Sequence, residues 1–333
     1  MSEHIPTWLS GLLLPAGLVY GEAMRLRRWA FRHGLRRSYA PGIPVVCVGN
    51  LTVGGTGKTP MVAYVVRHLQ AMGRNPMILT RGYKSCDGKS DEAMLLEKLT
   101  GATVIVNPDR VSGAAQAVGK GADVLVMDDG FQHVRLRRNL NVVLIDATDP
   151  FGGGWCLPAG LLREPLGALG DAGVVVITRS DQVRPEVCEA IERKVRRKTA
   201  APILRALHAP SEFRNLTGTA APLESLTGES LAAFCGLGNP AGFFATLETL
   251  DVELAATTHC PDHAQYTPEL MAQLESLAIE AGATALVTTE KDGVKLQPEW
   301  FTIPLWQLAI EMQFAGGDAP LTAALAAVFE GGA

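Results

Sequence analysis

The sequence predicts an α/β fold: a doubly wound parallel sheet, then a second, smaller α/β unit, with an N-terminal interfacial helix in front. Three observations predict it. From residue 43 to about residue 208, short β-branched runs alternate with helix-length segments, the pattern of parallel strands joined by crossover helices. The run Val45-Val46-Cys47-Val48 breaks into glycines and then meets Gly57-Lys58-Thr59, in the order strand, loop, helix start. A further strand–helix series opens at residue 231 after a stretch rich in Pro, Gly, Ser and Thr, which reads as a linker. The expected divisions are an N-terminal segment 1–38, a first domain 39–210, a linker 211–230 and a smaller domain 231–333. The last strand and helix of that smaller domain are candidates to pack back on the first.

Composition bounds the function. A chain of 333 residues suggests about two domains. At 47% apolar and 19% charged it is a folding composition rather than a disordered one. A net charge of −4 gives no global attraction to nucleic acid. The six cysteines are scattered without a C-x-x-C pair, which argues against a zinc ribbon or disulfide scaffold and fits a reducing cytoplasm. Cys47, inside a strand, is most simply a core residue.

Residues 7–20 are apolar, too short to span a bilayer, and interrupted by Gly11, Pro15 and Gly17. Arg25, Arg28, Arg32 and Arg36 follow at helical spacing on one face, with Leu26, Trp29, Ala30 and Phe31 beside them. Arginines and an aromatic next to an apolar segment suit a helix lying on an anionic membrane surface. A helix packed on the body of the protein fits the same pattern. A signal peptide does not, because residues 1–6 lack a basic start.

In the loop 52–59 (Thr52, Val53, Gly54, Gly55, Thr56, Gly57, Lys58, Thr59), backbone N–H groups can wrap a phosphate at a helix N-terminus. Lys58 would reach the β- and γ-phosphates and the Thr59 hydroxyl would ligate Mg²⁺, which makes the fold P-loop NTPase-like. The general pattern asks for glycine at 52, where this chain has threonine, so Gly54 and Gly55 are expected to make the turn. A helix follows over 60–72. Strand 76–80 ends at Arg81-Gly82-Tyr83, on the sheet edge where ligands gather, which makes Arg81 and Tyr83 candidate site residues. Ser90 is placed to cap a helix 91–100, and on spacing alone Asp91 and Glu92 are its first-turn acids. Strand 103–106 precedes a helix opened by Asp109-Arg110.

The second informative stretch is Ala122-Asp123-Val124-Leu125-Val126-Met127-Asp128-Asp129-Gly130-Phe131-Gln132-His133. An apolar strand delivers Asp128 and Asp129 at its C-terminal end, where such enzymes hold the Mg²⁺ hydration shell. Two adjacent carboxylates there are costly unless a cation or donor is near. His133, taken alone, reads as a packing histidine. Strand 141–146 leads to a Gly/Pro-rich loop, 151–165, that carries Arg163 and Glu164. Strand 173–178 ends at Thr178-Arg179-Ser180-Asp181, either a place to recognise a nucleotide base or a capped helix start. The basic run Arg193–Lys198 reads as a solvated helix face. In the smaller unit the expected order is strand 231–235, Gly236–Pro240 into a helix, Asp262-His263 in a loop, helix 268–281, strand 284–288, Glu290-Lys291-Asp292, strand 305–314 and helix 319–330.

Together these motifs resemble the tetraacyldisaccharide 4'-kinase family, nearly end to end: Val48–Thr59, Arg81–Tyr83, Asp91-Glu92, Asp109-Arg110, Asp128–His133, Leu157–Pro165, Gly236–Pro240, Asp262-His263 and Glu290–Asp292. One departure is Ser90-Asp91-Glu92-Ala93 where the family commonly shows Gly-Asp-Glu-Pro. The resemblance implies transfer of phosphate from ATP, with Mg²⁺, to the 4'-hydroxyl of an acylated disaccharide 1-phosphate, giving lipid IVA. It implies work at the cytoplasmic face of a bacterial inner membrane, as a peripheral or monotopic protein without nucleic acid or a required protein partner. Carried over from the family, Asp91 accepts the hydroxyl proton, His263 supports it, and Glu92 orients His263. Arg81, Tyr83, Arg110, His133 and Glu164 are candidates for contact with substrate or developing charge. Asp91 and His263 come from different units, so the resemblance also implies closure of one over the other. Two other classes share the loop. A P-loop switch or partitioning ATPase often carries a signature lysine, and the corresponding place here is Val53. A GTP-dependent metallochaperone would want a His or Cys cluster, which the seven histidines do not form.

Overall fold

The structure, a computed structural model, describes residues 7–82, 90–237, 240–261 and 264–330. The chain divides into two compact units, residues 3–208 with 312–333, and residues 209–311. In order the elements are α1 (Thr7–Arg32), β1 (Val45–Asn50), α2 (Lys58–Ala71), β2 (Pro76–Thr80), α3 (Asp91–Thr100), β3 (Val104–Val106), α4 (Arg110–Gly119), β4 (Val124–Asp128), β5 (Leu140–Asp146), β6 (Val174–Thr178), α5 (Pro185–Arg196) and β7 (Ile203–Asn215). There follow β8 (Ala220–Ala221), β9 (Ser230–Cys235), α6 (Pro240–Glu248), β10 (Glu253–His259), α7 (Pro268–Glu280), β11 (Ala285–Thr289), α8 (Glu290–Gly293), β12 (Leu305–Ala315) and α9 (Ala319–Glu330).

In the larger unit the strand order is β7-β6-β5-β1-β4-β2-β3, and every pairing along it is parallel. β1 lies between β4 and β5, so the order reverses there, and Val48 stands opposite Asp128. Such a reversal opens a crevice at the strands' C-terminal ends. Alternation along the strands divides the core in two. Val45, Cys47, Leu125, Met127, Val143 and Ile145 face α4, α5 and Tyr20 of α1. Val46, Val48, Val126, Val142 and Leu144 face α2, α3 and α9. Both sheet faces are covered, which is why these strands read as unbroken apolar runs. In the smaller unit the order is β10-β9-β11-β12-β7, parallel through β10, β9, β11 and β12, with β8 antiparallel to β7.

The structure corrects several expectations. The stretch at 211–230 is no plain linker: residues 211–215 complete β7, and β8 and a 3-10 turn at Leu223–Leu226 follow. Pro210 and Ser211 disguise a strand whose buried positions are Leu204, Ala206, Ala209 and Phe213. Strand β10, rich in Ala and Thr, lies where the sequence pattern predicts no strand. Ser90 stands at the N-cap of α3 but its side chain makes no capping bond.

The N-terminal segment is one helix that continues through Pro15. Its four arginines are not one lipid-facing row. Arg28 is 7% exposed. It bonds Asp171 at 2.5 Å, pairs with Glu164, and lies over the Phe131 ring, 4.6 Å from its centre. Arg32 pairs with Asp171 as well, and Arg36 lies beyond the helix end. Leu12, Leu18, Val19, Leu26 and Trp29 are exposed instead. Gly17 lets the helix approach the 151–165 loop closely: a Cβ there would stand 2.8 Å from Ala159 Cβ and from the Cys156 carbonyl oxygen. Among the described residues no helix is long and apolar enough to cross a membrane.

Candidate phosphoryl-transfer site

The loop between β1 and α2 takes its shape from two glycines. Gly54 has φ +120° and Gly57 φ +81°, conformations that L side chains rarely adopt. Gly57 is also the N-cap of α2, and a Cβ on it would overlap the His208 imidazole. Gly55 is not left-handed, so of the pair expected to make the turn only Gly54 needs to be glycine for its φ. Thr52 answers the apparent defect in the motif. It is buried and forms an antiparallel bridge with Leu162, and the neighbouring Val53 N–H donates to the Leu161 carbonyl at 2.9 Å. Asn50 ties the same turn from within, its Nδ2 donating to the Thr52 carbonyl at 2.9 Å. The loop's first half is therefore a strand-like strap against 151–165, and only its second half is a glycine-governed cradle. Thr56 is held by its carbonyl, which accepts from the Thr178 hydroxyl at 3.0 Å. His208 beside it is pushed down to about 4 by burial and by Arg179.

Lys58 begins α2 and reaches back to the Gly54 carbonyl at 3.5 Å and to Asp129 Oδ1 at 3.8 Å. Asp129 is in the left-handed region, φ +47°, a conformation aspartate tolerates better than most residues. Its carboxylate is held in a fork by Arg163 Nη1, at 2.9 and 2.8 Å. Burial pushes Asp129 up, but Lys58 and Arg163 outweigh it and its carboxyl lies below the ordinary range. Asp128 is different. It is buried at the end of β4 beside Glu92 and Asp129, and burial first, then those two charges, pushes its carboxyl up to about 7. Its Oδ2 accepts from Thr80 at 3.4 Å, and its Oδ1 has no partner among the described residues. Arg110, itself buried, donates from Nη2 to the Asp128 carbonyl at 3.0 Å, while its Nη1 is buried without a partner among the described residues.

This geometry brings together most of the residues singled out in the sequence. Thr52–Thr59, Asp128, Asp129 and Arg110 meet at the C-terminal ends of β1 and β4. Glu92 is close enough to raise Asp128, which puts the first turn of α3 at the same end. Arg81 follows β2 and lowers the Arg110 pKa in company with burial. Tyr83 and His263 lie outside the described residues. His133 follows the Asp128–Phe131 turn, with Nε2 buried and its pKa pushed down to about 4 by burial and then Arg110. A neutral imidazole fits the packing reading. Glu164 is 1% exposed and occupied by Arg28. Arg163 lies within the Leu157–Pro165 motif but is assigned no role from the sequence; its partner lies 34 positions away on another loop.

The donor set suits a hard divalent cation. Among the described residues no three His, Cys, Asp or Glu side chains cluster as a dedicated metal cage. Mg²⁺ typically takes one or two carboxylates with waters and substrate phosphates, and the unpartnered Asp128 Oδ1 at a phosphate loop is such a carboxylate.

Comparison with known proteins agrees with the motifs. Residues 9–330 match the family described as Tetraacyldisaccharide-1-P 4'-kinase. The tetraacyldisaccharide 4'-kinase of Pelobacter propionicus is 40% identical over 309 residues, 86% of this chain and 83% of that protein. The enzyme of that name from Geobacter sulfurreducens is 37% identical over 336 residues, 94% and 92% of the two chains. Among solved structures, LpxK from Aquifex aeolicus, crystallised in complex with ATP, superposes with a TM-score of 0.79 at 27% identity, covering 96% of this chain and 99% of that one.

Proposed function

Because this chain belongs to the tetraacyldisaccharide-1-P 4'-kinase family, we propose that its phosphate loop and the Asp128-Asp129 strand end form the phosphoryl-transfer centre of that reaction. The chain is an ATP-dependent kinase of lipid A biosynthesis. It phosphorylates the 4'-hydroxyl of tetraacyldisaccharide 1-phosphate. The observation that carries the residue assignment is Lys58 Nζ standing 3.8 Å from Asp129 at the mouth of the glycine cradle.

The roles follow from chemistry. An alcohol ionises far above neutral pH and needs an oriented proton acceptor as it attacks phosphorus. Asp91, at the first position of α3, takes that proton; His263 supports it and Glu92 orients His263. As the new oxygen–phosphorus bond forms, the bond to the β,γ-bridging oxygen breaks and ADP leaves. Lys58 and the N–H groups of residues 54–59 hold the β- and γ-phosphates through the step. Mg²⁺, when bound, neutralises phosphate charge, and Thr59, Asp128 and Asp129 are the residues that would hold it or its waters. Asp129 cannot serve a cation with both oxygens while Arg163 grips it, so nucleotide entry exchanges that fork for phosphate contacts. Arg110, bonded to the Asp128 carbonyl, and Arg81 near it are assigned to the substrate's or the developing charge, with Tyr83 beside Arg81 in sequence assigned to the same task. Glu164 acts at one remove by holding Arg28.

The exposed apolar side of α1 (Leu12, Leu18, Val19, Leu26, Trp29) supports placement on the cytoplasmic face of the inner membrane, where an acylated disaccharide resides. Asp91→Ala is expected to lower kcat by about 10³-fold or more with ATP affinity nearly unchanged, measured with γ-labelled ATP and detergent-dispersed lipid acceptor. Near-parental kcat would remove Asp91 from the acceptor role. Label released only as free phosphate would favour a switch ATPase over a lipid kinase.

A further inference from the structure

The family match leaves unassigned the basic run that ends α5. Arg193, Lys194, Arg196, Arg197 and Lys198 are all exposed, while Cys188, Ile191 and Val195 of the same helix are buried. Arg193 and Lys194 lie on the outward face of α5, and Arg197 and Lys198 follow in the turn just past its end. Glu189 stands 3.5 Å from Arg193 and Glu192 4.0 Å from Arg196, so those two charges are partly answered. Lys194, Arg197 and Lys198 have no carboxylate partner among the described residues. Lys194 rests over the Phe151 ring, 4.1 Å from its centre.

Two separate routes place this run beside α1. Through Phe151, Lys194 touches the Gly/Pro-rich loop, whose exposed Trp155 and buried Cys156 line a small groove of about 140 Å³ with Leu18, Gly21 and Arg25 of α1. On the other side, the Lys198 carbonyl lies against Gly170, next to the Asp171 that grips Arg28 and Arg32 of α1. α5 and Tyr20 of α1 also share one core on the same side of the sheet. α1 and α5 thus lie on the same side of the sheet, with Arg36 and Arg37 following α1 and a basic run closing α5. These cations are all exposed.

We propose that the C-terminal end of α5 is a second membrane-contact surface, which binds anionic phospholipid headgroups while α1 seats its apolar side in the same leaflet. The charges complement an anionic bilayer, and they lie on the side of the sheet that carries α1, whose exposed face is apolar. Each lysine or arginine held near such a surface adds about 1 kcal/mol, and one apolar helix alone gives weak attachment. Two contacts also fix the rotation of the larger unit about α1, which one helix cannot do. The proposal rests on the reading that α1 faces the bilayer, and its test separates the two.

Partitioning is measured on vesicles of phosphatidylcholine alone and on vesicles that also carry phosphatidylglycerol. The chain with Lys194→Gln, Arg197→Gln and Lys198→Gln is expected to partition about a hundredfold less onto the anionic vesicles at low ionic strength. Its binding to phosphatidylcholine and its turnover of detergent-dispersed substrate stay at parental values, which also reports that it is folded. Equal partitioning of variant and parent onto anionic vesicles overturns the α5 proposal and leaves α1 untouched. A parent that binds neither vesicle overturns the α1 reading and this proposal with it. A chain with Leu12→Ser, Leu18→Ser and Val19→Ser should lose binding to both vesicle types.

Discussion

Asp128 and Asp292 are both buried aspartates at the C-terminal end of a parallel strand, and they sit in opposite circumstances. Asp292, 0% exposed just after β11, has every lone pair claimed that its position allows. The Gly236 N–H donates to Oδ2 at 2.9 Å, the Thr289 hydroxyl to Oδ2 at 2.7 Å, and the Tyr266 hydroxyl to Oδ1 at 2.9 Å. Asp128, 6% exposed at the end of β4, has among the described residues one long bond from Thr80, an unpartnered Oδ1 and two carboxylates for neighbours. A buried carboxylate supplied with donors braces the loops that supply them. One left without donors costs the fold free energy, and is retained where a cation will complete it. The comparison separates a structural aspartate from a catalytic one by hydrogen-bond inventory alone.

The most severe way to break the comparison is to neutralise each aspartate. Asp128→Asn is expected to lower kcat by about 10³-fold, roughly 4 kcal/mol in the barrier, without lowering the melting temperature of the metal-free protein. Asp292→Asn should do the reverse, costing about 3 kcal/mol in chemical denaturation because an amide cannot accept from all three donors. Turnover measured well below the melting temperature should suffer less. If Asp128→Asn destabilised the protein as Asp292→Asn does, the vacancy at Oδ1 would not be a cation site.

Next in size is pH. The Asp128 carboxyl is raised from 3.8 to about 7 by burial, Glu92 and Asp129. Between those values the folded protein holds a proton that the unfolded chain has released. Stability of the metal-free protein therefore falls as pH rises from about 4 through 7, by up to about 4 kcal/mol from this group. Thermal melts in chelator from pH 5 to 8 should show the loss, Asp128→Asn should flatten it, and added Mg²⁺ should reverse it. A slope unchanged in Asp128→Asn would place the titration elsewhere.

How much of this was legible in the sequence depended on distance along the chain. β1, β2 and β4 were legible because apolar runs end abruptly in Gly, Arg or Asp. Asp91–Thr100 was legible because acids open the helix. The cradle Gly54–Thr59 is wholly local, so its pattern survives in one dimension. The strap that explains Thr52 is not local: it needs Leu161 and Leu162, about a hundred residues on. Arg28 read as one of four outward arginines, and only the fold shows it buried between Glu164 and Asp171, 136 and 143 positions away. β10 failed for a different reason. Its Ala and Thr residues are partly buried or exposed, so neither alternation nor a solid apolar run marks it.

The gentlest probe sharpens the same contrast from the donor side. Tyr266 gives Asp292 one hydrogen bond and packs its ring edge against Phe234, with ring centres 6.0 Å apart. Tyr266→Phe keeps the ring and removes only the hydroxyl, so Oδ1 loses its one donor among the described residues while Oδ2 keeps two. A charge-assisted bond of this kind is worth about 1.5–3 kcal/mol, and a water admitted beside Oδ1 would offset part of it. The expected loss is about 1–2 kcal/mol by urea denaturation, with kcat and KM unchanged in a saturating assay. The corresponding change beside Asp128, Thr80→Val, removes a bond of 3.4 Å that contributes little. It should leave stability within about 0.5 kcal/mol of the parent. If Thr80→Val cost as much as Tyr266→Phe, Asp128 would be as firmly braced as Asp292, and its hydrogen-bond inventory would no longer tell a cation's carboxylate from a fold's.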